Sequence, residues 1–243
     1  ISKNIKRKFK IRIIGFSMKM VTSNIGEDER HQNGVAGIDT YEYIANFIIE
    51  NEIDIVCFEE AIISFDKLEP IGNYIKMHTD LKYVEEFNLS DSHINLGAKM
   101  GVVVCSKYEL TIDEKIMMTN PKLVKKIDEN TTFYSHDKGF MVVDVQGIKL
   151  VCGHCLPFHV FDRDSKDYLE IFSEIDSKLL KLYESNNRFI LCGDFNYNDI
   201  DILFPKMTKT LTEVIKGSTK KDKQLDHLLV SDSIEILNAK IID

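Results

Sequence analysis

Polar side chains that follow apolar runs without transition mark the places where rigid strand hands over to loop, and several of these carry residues able to do chemistry. Phe189-Ile190-Leu191-Cys192 runs directly into Gly193-Asp194-Phe195-Asn196. In an extended segment residues i and i+2 share a face, so Asp194 and Asn196 point together, and Gly193 lets other backbone or substrate come close. A carboxylate and an amide so placed can hold or polarise a water, and the amide can reach a phosphoryl oxygen; the plainer alternative is an Asx-type turn leaving a strand. Ile53 to Phe58 ends in Glu59-Glu60. Either that strand has emerged into solvent, or a carboxylate stands ready for a hard cation such as magnesium, which prefers oxygen donors. Leu150 to Cys155 brings His154 to a strand end, where the bland reading is a structural histidine. The same segment spells Cys152-Gly153-His154-Cys155, but Leu156-Pro157 follows at once, so the helix N-terminus that activates a redox thiol is not expected there. Leu225-Asp226-His227 sets an acid and an imidazole at the start of a strand. The lysines before it, Lys216, Lys220, Lys221 and Lys223, read as a solvated loop or as phosphate contacts.

The elements that must position these groups are short. Apolar runs at Ile11 to Phe16, Ile53 to Phe58, Gly101 to Cys105, Phe140 to Val145, Lys149 to Cys152, Phe189 to Cys192 and Leu225 to Val230 predict strands buried on both faces. Helical spacing predicts one helix over 41–49, capped by Asp39 or Thr40, and another from about Ser165 to Tyr183. Gln146-Gly147 between two runs predicts a tight hairpin. With 4 prolines and 12 glycines in 243 residues and no repeat or linker, one domain is expected. No apolar run approaches the roughly 20 residues of a membrane span. Five cysteines, an odd count, cannot all pair, which favours a reducing, cytoplasmic setting over secretion. The net charge of −8 disfavours a non-specific nucleic-acid coat without excluding an enzyme with a local basic groove.

Taken in order, these segments resemble the endonuclease/exonuclease/phosphatase superfamily, the fold of pancreatic deoxyribonuclease (DNase I-like). The residues that carry the resemblance are TYEYIANFIIENEIDIVCFEEA over 40–61, GVVVCSK over 101–107, His154-Cys155-Leu156, Gly193-Asp194-Phe195-Asn196, and LDHLLVS over 225–231. The resemblance implies an α+β fold, a four-layer α/β/β/α sandwich of two packed mixed sheets flanked by helices. It implies a hydrolase using Mg2+, or Mn2+ or Ca2+, with Glu60 as metal ligand. His154, Asp194, Asn196 and Asp226 would be catalytic: Asp194 and Asn196 on the attacking water, His154 on the phosphate or leaving group, and Asp226 orienting a last catalytic histidine. Lys138 and Arg163, the latter opening a helix, would contact substrate phosphate.

The family's opening strand is aligned with Ile11 to Met18, which sets Ser17 where an asparagine usually provides the second metal ligand. The family pattern also ends in one more strand and a Ser-Asp-His motif; either these follow Asp243 in a longer chain or this member lacks the last catalytic histidine. A metal-dependent phosphodiesterase is the first expectation, a nuclease on DNA, with the basic clusters Lys3 to Arg12 and Lys216 to Lys223 on the DNA backbone. The competing readings are a phosphomonoesterase on an inositol or nucleotide phosphate, a sphingomyelin phosphodiesterase, and a catalytically impaired binding module of the same fold.

Overall fold

The computed structural model describes residues 7–13, 16–26, 38–92, 94–214, 216–220 and 222–241. Lys3, Lys6 and Lys221 of the two basic clusters lie outside them. Fourteen strands are described: β1 (Arg7–Ile13), β2 (Phe16–Asn24), β3 (Ile55–Ser64), β4 (Tyr83–Asp91), β5 (Lys99–Ser106), β6 (Thr111–Met117), β7 (Val124–Lys126), β8 (Thr132–Tyr134), β9 (Gly139–Val145), β10 (Ile148–His154), β11 (Phe189–Asp194), β12 (Thr212–Glu213), β13 (Asp226–Val230) and β14 (Glu235–Ile241). The helices are α1 (Ile38–Glu50), α2 (Ile71–His78), α3 (Leu169–Ser185) and two single turns, α4 (Ile200–Leu203) and α5 (Met207–Thr210).

One six-stranded sheet has the order β14-β1-β2-β3-β5-β4 and the other β12-β13-β11-β10-β9-β6, with β7-β8 a separate ribbon. Each sheet contains one parallel pair, β2 with β3 and β10 with β11, and α1 and α3 are carried on the crossovers between them. The remaining pairings are antiparallel.

Alternation along the strands generates three apolar layers. Ile55 and Cys57 face the opposite sheet, meeting Leu150, Cys152, Ile190 and Cys192. Val56 and Phe58 face the other way, onto Tyr41, Ile44 and Ile48 of α1 and Ile71 and Ile75 of α2. Val151 and Leu191 likewise turn outward, onto Phe172, Ile175 and Leu179 of α3. Helix, sheet, sheet and helix therefore stack as the four layers expected, each fully buried Val, Leu, Ile or Phe contributing about 1.5–3 kcal/mol. Among the described residues no helix is long and apolar enough to cross a membrane.

Local chemistry accounts for the main junctions. Gln146 and Gly147 both take positive φ, 55° and 75°, the two-residue hairpin turn joining β9 to β10. Before α3, a 3-10 turn over Ser165–Tyr168 is capped by Asp164, whose side chain accepts from the Lys166 N–H.

Two expectations about strands need correction. The run Ile11 to Phe16 is not one strand, because β1 and β2 form an antiparallel hairpin in which Ile13 pairs with Phe16. Nor does β3 end at its carboxylates. It continues to Ser64, with Ala61 and Ile62 fully buried, so Glu59-Glu60 lies inside a strand.

Candidate active site

Five strand segments lining the space between the sheets run from apolar to polar at the same end of the sandwich. They are Met20-Thr22-Asn24 on β2, Ile55-Cys57-Glu59 on β3, Leu150-Cys152-His154 on β10, Ile190-Cys192-Asp194 on β11, and, in reverse, Val230-Leu228-Asp226 on β13. The period of two puts each set on one face. Register aligns the ends: Asn24 opposes Glu59, His154 opposes Asp194, and Asp194 opposes Asp226. The cluster occupies the carboxyl ends of both parallel pairs, the usual location of ligand sites where parallel strands meet their crossovers.

Glu60 joins this cluster through a β-bulge. Phe58 pairs with Val103 and Ala61 with Gly101, leaving two residues of β3 against one of β5, and Glu60 takes φ 52°. Simple alternation would send Glu60 towards the helices. The bulge turns it back, so that Oε1 lies 3.5 Å from His154 Nε2 and 3.6 Å from Lys138 Nζ. A left-handed non-glycine residue costs about 1–3 kcal/mol, a strain often found where a side chain is aimed at a site.

The facing sheets are tied by Asn24, whose Nδ2 donates to Asp194 Oδ2 (2.9 Å) while its Oδ1 accepts from the Gly26 N–H (2.9 Å). Asp194 Oδ1 accepts from the Asn196 N–H (2.9 Å), the Asx-type turn that was the plainer alternative for this segment, with Asn196 at φ 55°. Asn196 Nδ2 donates to the Cys155 carbonyl (3.0 Å) and lies 3.2 Å from His154 Nε2. Lys138 is buried, and its Nζ lies 3.1 Å from His154 Nδ1. An ammonium only donates, so Nδ1 accepts from Lys138 and the ring proton on Nε2 is directed at Glu60, not at the Asn196 amide nitrogen, which also only donates.

Two glycines make this convergence possible. A Cβ on Gly193, at φ 140°, would lie 1.8 Å from the Gly153 carbonyl oxygen, and one on Gly153 would lie 2.2 Å from the Phe140 ring.

Glu59 is fully buried. Its Oε1 accepts from the Thr22 hydroxyl (2.9 Å) and the Cys152 thiol (3.3 Å), while Oε2 has no hydrogen-bond partner. Burial, followed by the proximity of Cys192 and Asp226, raises its pKa well above the usual carboxylate value.

The segment carrying Asn196 is held from behind by His227. On the opposite face of β13 from Asp226, His227 stacks on Phe195 (5.7 Å, 9°), with Nε2 2.8 Å from the Tyr197 carbonyl and Nδ1 3.1 Å from Glu213 Oε2.

The structure thus brings together His154, Asp194, Asn196, Asp226, Lys138 and Glu60. Ser17 is a different case: it is exposed near the start of β2, seven residues before Asn24, or roughly 23 Å along the strand. The segment Ile11 to Met18 spans the β1–β2 hairpin, and the strand end that reaches the cluster carries Asn24. In the sequence Asn24 stands as the polar stop of Met20 to Asn24, ahead of Ile25-Gly26. Arg163 does not open the helix. It stands six residues before α3, exposed, on a cavity of about 550 Å3 that it shares with Asn196, Tyr197, His159 and Lys223. His159 has a lowered pKa through partial burial and the nearby Lys220 and Lys223. Cys152 and Cys155 lie in different layers, between the sheets and under the helices respectively, and burial raises both thiol pKa values, so they do not form a redox pair.

Among curated proteins no sequence matches the chain. Solved structures share its fold at low identity. The mannosyl-6-phosphatase of Bacteroides thetaiotaomicron aligns with a TM-score of 0.58 and 14% identity, covering 89% of this chain and 86% of that one. A 3′ phosphatase from Neisseria bound to a product DNA hairpin aligns with a TM-score of 0.54 and 13% identity, covering 89% and 87%. An endonuclease/exonuclease/phosphatase family protein of Leptotrichia buccalis aligns with a TM-score of 0.53 and 19% identity, covering 87% and 86%. The family pattern described as Endonuclease/Exonuclease/phosphatase matches residues 21–243, from the middle of β2 onward. The chain belongs to the endonuclease/exonuclease/phosphatase family, whose members are hydrolases acting on phosphoesters.

Proposed function

We propose that the chain is a divalent-metal-dependent phosphodiesterase acting on DNA. The observation that carries the reading is the juxtaposition, around Asn196, of the carboxylate cluster with the cavity bearing Arg163 and Lys223. The cavity also carries Asp162, Asp164 and Asp199, of which Asp162 is paired with Lys125 (2.8 Å), so Arg163 and Lys223 are its cationic contacts for a phosphate beside the reacting one.

The donor set suits a hard cation. Glu60, Asp194 and Asp226 concentrate negative charge that Lys138 offsets only in part, and the carboxylates and the amides of Asn24 and Asn196 supply oxygen donors. Glu60, with the Asn24 amide beside it, would hold Mg2+, Mn2+ or Ca2+. Bound there, the ion would supply Lewis-acid stabilisation of the charge developing on the phosphoryl group.

The protein's own groups would do the rest. Asp194 and Asn196 would orient the attacking water, Asp194 accepting its hydrogen bond. His154 would donate from Nε2 to a phosphate oxygen, with Lys138 keeping that proton in place. Asp226 would position a neighbouring catalytic group from the far side of Asp194. Arg163 and Lys223 would hold flanking phosphates.

Nicking of supercoiled plasmid with magnesium tests the reading. Wild type should nick, and Glu60→Ala and Asp194→Ala should each lose about 100-fold or more. Phosphate release from small monoesters without nicking would replace the reading with a phosphomonoesterase. No hydrolysis of either substrate with any of the three ions would leave a binding module.

A further inference from the structure

One layer below the polar cluster, roughly 7 Å down the strands, the inter-sheet core carries three thiols. Cys57 comes from one sheet, and Cys152 and Cys192 from directly opposed positions of the other. All three are fully buried and reduced, and their Sγ atoms lie within 4.8 Å of one another. Buried cysteines singly behave as small hydrophobes. Three meeting across a sandwich, where Val or Ile would fill the space without polar atoms, form a set of soft donors.

A second observation points the same way. Glu59, equally buried, directs Oε1 at the Cys152 thiol (3.3 Å) and leaves Oε2 with no hydrogen-bond partner. An orphaned carboxylate oxygen in a dry core costs several kcal/mol unless a cation or donor meets it.

We propose that Cys57, Cys152 and Cys192, with Glu59 as the fourth donor, form a second cation site for a thiophilic ion of the zinc class, separate from the oxygen-rich site at Glu60. Tetrahedral zinc–sulfur geometry, with bonds of about 2.3 Å, requires sulfurs roughly 3.8 Å apart. Side-chain adjustments of about 1 Å would bring the three sulfurs to that spacing, and Glu59, which touches Cys152 but lies outside the 4.8 Å group, would turn its carboxylate towards the ion by a rotamer change. Three thiolates and one carboxylate carry the same charge as the four-thiolate sites that hold structural zinc. Each ligating thiol, and the Glu59 carboxyl where it is protonated, releases its proton to solvent on binding. The ion would pin β3 to β10 and β11 directly beneath the residues of the cleft, making this a structural rather than a catalytic centre.

Cadmium titration of the metal-free, reduced protein, followed by the thiolate-to-metal charge-transfer absorbance, tests the site, with zinc content after growth in zinc-supplemented medium as the second measurement. Wild type and Cys105→Ala, which changes a buried thiol on the other face of its sheet, should each take up about one equivalent. Cys57→Val and Cys192→Val should fold by circular dichroism, take up less than about a tenth of an equivalent through thiolate, and retain magnesium-dependent nicking. Thiolate uptake by the Val variants equal to wild type, or none by wild type in either measurement, overturns the proposal. The nicking assay reads the other site, so a wild type that binds cadmium but does not nick refutes the proposed activity and leaves this site standing.

Discussion

Substituting Gly193 with alanine isolates how tightly the backbone of the site is built. The residue sits at φ 140°, and its new Cβ would meet the Gly153 oxygen at 1.8 Å, the Gly153 carbon at 2.8 Å and the Gly153 nitrogen at 3.0 Å. All three atoms are backbone of the neighbouring parallel strand, so no side chain can rotate away. Restoring an ordinary contact of about 3.2 Å requires β10 and β11 to part by about 1.4 Å, which breaks one or two ladder hydrogen bonds worth about 0.5–1.5 kcal/mol each. Holding an L-residue in a region that is essentially glycine-only adds about 1–3 kcal/mol. The expected total is about 2–6 kcal/mol, or about 4–24 °C in Tm for a chain of this size. Gly97→Ala is the control: its φ is 90°, but a Cβ there meets nothing within 4 Å, so only the backbone term of about 1–3 kcal/mol remains. Because His154 and Asp194 follow the two glycines directly, a displacement of about 1 Å should also lower plasmid nicking by about 100-fold. Differential scanning calorimetry and the nicking assay read both effects. A Gly193→Ala protein no less stable than Gly97→Ala, nicking within about twofold of wild type, would refute the close-approach argument.

Three further substitutions probe the cluster, with Ser17→Ala as a control outside it. Asn24→Ala should raise the magnesium concentration needed for half-maximal nicking by about tenfold or more, whereas Ser17→Ala should leave it unchanged; equal effects would restore the Ser17 assignment. Glu59→Gln should alter how stability depends on pH in metal-free buffer. The folded carboxyl has a raised pKa, so its protonated form is favoured by folding, and that contribution is complete below the unfolded value and lost as pH rises through the folded one. Thermal melts of Glu59→Gln should therefore match wild type near pH 4 and gain on it by about 1.4 kcal/mol per pH unit through the window above, and parallel curves would contradict the assignment. Lys138→Met removes the cation held against Glu60 and His154, so the metal-free Tm should fall by about 6–20 °C, an effect of about 3–5 kcal/mol. Excess magnesium should recover much of that loss, and a Tm indifferent to magnesium would argue against Glu60 as a ligand.

Much of the architecture was legible from patterning. Runs apolar at every position, such as Gly101 to Cys105 and Phe189 to Cys192, required strands covered on both faces, and the three-layered core meets that requirement. The Gln146-Gly147 hairpin and the α3 stripe were set by local rules, turn chemistry and a period of 3.6. Errors arose where local sequence does not encode the geometry. Gly15 is the one turn-type residue between Ile11 and Phe16, and only the pairing of Ile13 with Phe16 decides for a hairpin, which brings Asn24 rather than Ser17 to the cluster.

By itself the sequence determined the chemical inventory and its order: which strands end in Glu, His, Asp and Asn, and that a Gly precedes both His154 and Asp194. Tertiary structure alone decided what those residues meet. The bulge at Glu60 depends on how β3 pairs with β5, and it reverses the direction that alternation would assign to the carboxylate. Lys138, with no sequence neighbour in common with His154, fixes that ring's proton by approaching it within the folded sheet. The thiols of Cys57, Cys152 and Cys192, scattered through the chain, converge only because two sheets pack face to face at matched depth. Side-chain direction along one strand is a local property with a period of two, whereas proximity across strands and sheets depends on register and packing, which are set by the whole chain.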